Sequence, residues 1–139
     1  MARRDAREVA MCLLYQIEFC NCYSNESLHE LSKNFNLTDL DIDYINEITE
    51  GYKIHQNEIN EFISKYAKGW TIERIAKVDL SILRLAIYEI LYKKDVPIAV
   101  SINEGVELAK KYSTDKSQSF INGILGSLVR SIEGNQEKD

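Results

Sequence analysis

A chain of 139 residues that is 45% hydrophobic and 28% charged, with one proline and six glycines, has the composition of a globular helical protein, not of a disordered segment or a turn-rich β-sandwich. Its formal net charge of -5 argues against nucleic-acid binding over the whole surface, and Gln16, Glu18 and Glu89 break every apolar run well short of the roughly 20 residues a membrane span needs. No signal-peptide pattern opens the chain and its cysteines are odd in number, so a cytoplasmic protein with reduced thiols is expected.

The opening stretch, MARRDAREVAM, crowds Arg3, Arg4 and Arg7 at a predicted helix start. Backbone amides already carry positive partial charge there, so each cation costs about 0.3–1 kcal/mol. The arginines must therefore serve something other than helix stability. Val9, Leu13, Ile17 and Cys20 recur at helical spacing, widened by Ala6, Ala10 and Leu14; Asp5 with Glu8 has capping-box spacing, which puts the helix start at Asp5 and Arg3 and Arg4 in a short arm, within a basic N-terminal segment over residues 1–7. NCYSN reads as a loop, and Leu28, Leu31 and Phe35 line a short second helix.

Thr38 or Asp39 caps the next segment, whose stripe of Ile42, Ile45, Ile48 or Thr49, Tyr52, Ile59, Phe62, Ile63 and Tyr66 fits one long helix or two with a break near residues 51–56. Gly69, Trp70 and Thr71 interrupt it, and a short helix over 72–76 follows. Asp79 is expected to cap the most apolar helix, LSILRLAIYEILY, with Leu80, Leu83, Ile87, Ile90 and Leu91 in the core. Pro97 suits the first turn of a helix that turns Val100, Val106 and Ala109 inward and ends on Lys110 and Lys111. STDKSQ caps a last helix carrying Phe120, Ile121, Ile124, Leu125, Leu128 and Ile132. Gly123 and Gly126 within it each cost about 1 kcal/mol against alanine, which points to close packing there. The tail from about residue 133 to 139 is polar and reads as frayed, and with no repeat or long linker residues 1–139 are expected to form a single domain.

Catalytic signatures are missing. There is no G-x-S-x-G elbow, P-loop, G-x-G-x-x-G turn or H-E-x-x-H helix, and His29 and His55 stand in distant polar contexts. Cys20 and Cys22 form a C-x-C pair with His29 nearby but no second pair, so neither a metal nor a cofactor is expected. What remains is binding chemistry. Ten acidic residues between Glu18 and Glu61 face only Lys33 and Lys53, whereas from Lys65 to Lys116 ten basic residues outnumber seven acidic ones. Arginine forks pair with phosphates and exposed rings stack on unpaired bases, so a local basic patch with aromatics among eight tyrosines suits single-stranded RNA.

Two blocks carry a family resemblance: RRDAREVAMCLLY, and VDLSILRLAIYEILYKKDVPIAVSINEGVELAKKYSTDKSQSFINGILGSL, with the proline, INE, ELAK and FINGIL in family order. They resemble the bacterial transcription antitermination factor NusB family; from about Cys20 to Lys77 only the pattern matches. The resemblance implies an all-α fold of about seven helices, arranged as two helical bundles packed across each other. It implies a non-enzymatic adaptor that binds boxA RNA with NusE, the small-subunit ribosomal protein, and joins RNA polymerase to suppress premature termination, chiefly in ribosomal RNA operons. By position, Arg3, Arg4 and Arg7 correspond to its arginine-rich motif and Tyr15 and Phe120 to its aromatic RNA contacts. Lys116 and Gln118 fall in the loop beside Phe120, and Glu73 and Asp79 fall near the NusE-facing surface. Cys12 departs from the polar residue often found there, and Lys116 stands where an acidic residue can occur. Two other readings are a homodimer that covers the RNA surface, and the RNA-binding module fused to ribosomal RNA cytosine methyltransferases, which needs a following cofactor-binding domain.

Overall fold

The computed structural model describes residues 3–20 and 25–137, without the side chains of residues 3, 20, 25 and 135–137. They form α1 (Arg3–Cys20), α2 (Asn25–Ser32), α3 (Asp39–Tyr66), a single 3-10 turn (Ile72–Arg74), α4 (Lys77–Tyr92), α5 (Ile98–Tyr112) and α6 (Asp115–Glu137). Helices are the regular structure of the described residues, which include no strand, as expected. Helices α1–α3 form one bundle and α4–α6 the other; α4 touches α1, α3, α5 and α6 and so joins them.

The central place of α4 follows from its sequence. Every residue from Asp79 to Ile90 is buried, so the helix is enclosed on all sides instead of showing one apolar stripe. Val9, Leu13, Ile17, Ile45, Ile48, Ile63, Leu108, Ile121 and Leu125 close round it in one continuous core. Burial of each such side chain contributes about 1.5–3 kcal/mol before conformational entropy is set against it.

Local chemistry sets the helix ends. Thr38 Oγ1 accepts from the Asp41 amide at 3.2 Å while Asp41 Oδ2 accepts from the Thr38 amide at 3.0 Å, a complete capping box that starts α3. From there α3 runs unbroken through residues 51–56, so the sequence's two-helix alternative is excluded. Gly51 sits in that stretch because α4 crosses it: a Cβ there would lie 2.3 Å from the Tyr88 ring. Gly69, at φ 80°, turns the chain after α3 in a conformation that side chains disfavour.

Several expectations need correction. Asp79 does not cap α4, which starts at Lys77 after Ala76; it is a buried first-turn residue. Phe35 lies beyond α2. The inward face of α5 is Ser101, Gly105, Leu108 and Ala109, and Val100 is exposed, because α5 rests small residues against α4 and α6. Gly123 and Gly126 meet no neighbouring helix within 4 Å; the tight glycine contact is at Gly51. His55 is half-buried, stacked on Tyr92 with ring centroids 3.9 Å apart.

Candidate nucleic-acid interface

The three N-terminal arginines have different fates. Arg4 is 62% exposed and pairs with Glu104 on α5, its Nε 3.1 Å from Oε2 and its Nη2 3.3 Å from Oε1. Arg7 is a correction. Only 4% exposed, it donates through Nε and Nη2 to Glu89 at 2.9 and 3.0 Å, so its guanidinium is a core group and not a surface phosphate ligand. Glu89 also accepts from Ser101 Oγ at 2.8 Å and from the Tyr44 hydroxyl. Burial alone would lower the Arg7 pKa, but the hydrogen bond and charge of Glu89 outweigh it and raise it. The side chain of Arg3 lies outside the described residues.

Further along α1, Tyr15 is exposed and meets Phe19 edge-on at 4.9 Å between centroids. Cys12, one turn earlier, is half-buried; burial first, then the charge of Glu8, pushes its thiol pKa up. Lys111 Nζ binds Glu8 Oε1 at 2.6 Å, so the end of α5 lies against the start of α1. From Glu104 to Tyr112 α5 spans on the order of 12 Å at 1.5 Å per residue, which links the Arg4 end of the surface to the α5–α6 turn.

That turn is a polar knot. Thr114 Oγ1 accepts from the Ser117 amide at 3.2 Å and so caps α6. Ser113 Oγ and Ser117 Oγ each donate to Asp79 at 2.7 Å, one to each carboxylate oxygen. Asp79 is therefore buried and hydrogen-bonded within the fold, while Glu73 is exposed on the 3-10 turn. Lys116 is exposed, and Gln118 donates to Asp115 at 3.2 Å. Phe120 is half-buried and meets Trp70 edge-on at 6.4 Å. Beside this ring pair opens a cleft of about 370 Å³ lined by Trp70, Arg74, Ile75, Lys116 and Phe120.

The structure thus brings Lys116 and Phe120 together, keeps Arg4 and Tyr15 on the surface of α1, and removes Arg7 to the core. Sequence reading missed Trp70, Arg74 and Glu89. A lone carboxylate inside AIYEILY needs a buried cation, which was the available signal for the Arg7 pair. Among the described residues no group of three His, Cys, Asp or Glu side chains is arranged to hold a metal ion. Cys22 lies outside them, as does the side chain of Cys20, so the C-x-C pair is not described. No helix among the described residues is long and apolar enough to cross a membrane.

Two bundles joined through one buried helix, with exposed cations at the starts of α1 and α6 and exposed rings on α1 and in the loop at Trp70, define a helical binding protein. The NusB family model matches residues 4–130. Over the whole of this chain and 99% of its own length, the transcription antitermination protein NusB of Acetivibrio thermocellus is 46% identical. The T. maritima NusB structure superposes with a TM-score of 0.81 at 34% identity, covering 92% of this chain and 90% of that one. A crystal structure of antitermination factors NusB and NusE in complex with dsRNA contains a chain that superposes at 0.81 and 26% identity, covering 94% of this chain and 97% of that one. The chain belongs to the NusB family and is a non-enzymatic protein.

Proposed function

We propose that this protein is a cytoplasmic antitermination factor that binds boxA-type single-stranded RNA together with NusE, and joins the RNA polymerase complex that reads through ribosomal RNA operons. The observation that carries the reading is the pairing of exposed Lys116 with half-buried Phe120 at the start of α6, on the fold shared with the NusB–NusE–dsRNA structure. In this reading Arg3, Arg4 and Lys116 attract phosphate, Tyr15 and Phe120 offer ring faces to bases, and Gln118 supplies a polar contact. Arg7 supports the surface from within by fixing the start of α1. Glu73 is the accessible candidate on the NusE side, and Asp79 shapes that side by holding the α5–α6 turn. One domain over residues 1–139 suffices for these roles.

The test is binding of a short boxA-like RNA and a scrambled control, with and without NusE. Sequence-selective binding that tightens with NusE supports the reading. Equal weak binding to both RNAs, unchanged by NusE, overturns it and favours the homodimer, for which exposed Phe19 beside Tyr15 offers an apolar contact. Light scattering with and without RNA then reads the dimer directly.

A further inference from the structure

We infer that the cleft beside the Trp70–Phe120 ring pair is a nucleobase subsite, with Arg74 and Lys116 holding the flanking phosphates; this rests on the RNA-binding reading and assigns Trp70 and Arg74 to it. The first ground is where the unneutralised charge lies. Most cations of α1, α4 and α5 have carboxylate partners: Arg4 with Glu104, Arg7 with Glu89, Lys77 and Arg84 with Glu18, Lys110 with Glu107, and Lys111 with Glu8. Among the described residues Lys65, Lys68, Arg74, Lys94, Lys116 and Arg130 have no carboxylate within ion-pair distance; of these Arg74 and Lys116 line this cleft, and Lys68 lines the adjoining hollow on the other side of Trp70 and Phe120. Uncompensated cations are the groups that capture a polyanion by releasing its counterions.

The second ground is the ring pair. Trp70 is 52% exposed, unusual for so large an apolar side chain, and it is held by structure. Gly69 reverses the chain at positive φ and the Trp70 amide donates to the Ala67 carbonyl at 2.9 Å, which fixes the backbone beneath the indole. The edge-on contact with Phe120 at 69° leaves indole surface uncovered, as a platform for one stacked base requires. The floor of Ile75 and Ala76 is apolar. At about 370 Å³ the cleft is at the small end of ligand pockets, which suits a single base better than a peptide helix. Asp79 is the one carboxylate in the lining, and its oxygens already accept from Ser113 and Ser117; Glu73 is on the same turn as Arg74 but outside the lining.

Trp70 is the single tryptophan of the chain, so its fluorescence reports the site directly. A boxA-like RNA oligonucleotide is titrated without NusE, and tryptophan fluorescence and fluorescence anisotropy of labelled RNA are read in parallel. Quenching that saturates with the anisotropy curve is expected. Trp70→Ala should weaken binding by about 5- to 100-fold, the range of one base stacked on one ring. Arg74→Ala should flatten the log–log salt slope by about 0.7, as loss of one phosphate contact to a single strand does. RNA binding by anisotropy with unchanged tryptophan emission and unimpaired Trp70→Ala overturns the subsite while leaving the RNA reading intact. So does quenching by NusE and not by RNA, which makes the cleft a protein contact. Failure of the wild-type chain to bind RNA at all overturns both. Trp70→Phe, which keeps a ring, should retain most of the affinity, and circular dichroism of each variant controls for folding.

Discussion

Arg7 and Glu89, 82 residues apart in sequence, face each other as a two-pronged ion pair inside the core where α1 meets α4. Glu89 is only 1% exposed, and it receives four donors: two from Arg7, one from Ser101 and one from Tyr44. The pair ties α1, α3, α4 and α5 at one point, so the N-terminal arginine cluster has a structural member as well as surface ones.

Truncating one partner of such a pair leaves a buried charge uncompensated. Arg7→Ala is expected to lower stability by about 3–5 kcal/mol in urea unfolding, and replacing both residues by apolar side chains of similar volume should recover most of the loss. Arg4→Ala, on the surface, should leave the unfolding midpoint where it is. A mild Arg7→Ala phenotype would show that the pair does not hold the bundle junction.

Glu104 occupies two donors of Arg4 that a phosphate would otherwise use. Glu104→Gln keeps a polar group in place and removes the competing charge. RNA affinity at low salt should rise several-fold, with the gain fading as salt screens it. Equal or weaker binding, measured by anisotropy over a salt series, would mean that Glu104 helps by orienting Arg4.

Glu18 gives the junction of α1 and α4 a pH dependence. Its burial pushes the carboxyl pKa up, but hydrogen bonds from Arg84 at 2.5 Å and Lys77 at 3.1 Å, with their charges, outweigh this and hold it below its ordinary value of 4.5. A depressed folded-state pKa gives stability that is present above the unfolded value and is lost as pH falls through the folded one. Glu18→Gln should therefore cost stability near neutrality and narrow its difference from wild type below about pH 4. A gap that stays constant into acid would refute the assignment.

Gly51→Ala sets two effects against each other. Helix propensity favours alanine by about 1 kcal/mol, whereas overpacking against the Tyr88 ring costs about 1–3 kcal/mol. Tyr88 is buried and packed beside Tyr92 with centroids 5.3 Å apart, so its ring has little room to retreat. Net destabilisation is expected, relieved by combining the change with Tyr88→Leu; a higher melting temperature for Gly51→Ala alone would show that the ring moves freely.

The helices were legible because apolar residues recur at helical spacing through α1, α3 and α6, and because Pro97 and the Gly69–Thr71 break punctuate them. The long range of the polar core was not. Glu89 reads locally as an interruption of an apolar run, and only folding reveals that Arg7, Tyr44 and Ser101 converge on it. Asp79 has the look of a cap, but the helix begins two residues earlier because Lys77 and Val78 adopt helical backbone after Ala76, leaving Asp79 to bind Ser113 and Ser117. Trp70 beside a positive-φ glycine was visible only as a break, since its pairing with Phe120 spans two elements.

The most direct measurement is the salt dependence of boxA-like RNA binding for the wild type, Lys116→Ala and Phe120→Ala. If RNA lies along the start of α6, Lys116→Ala should flatten the log–log slope by about 0.7, and Phe120→Ala should weaken binding at every salt concentration with the slope unchanged. Wild-type slope and affinity in both variants would contradict an RNA surface at this end of the fold.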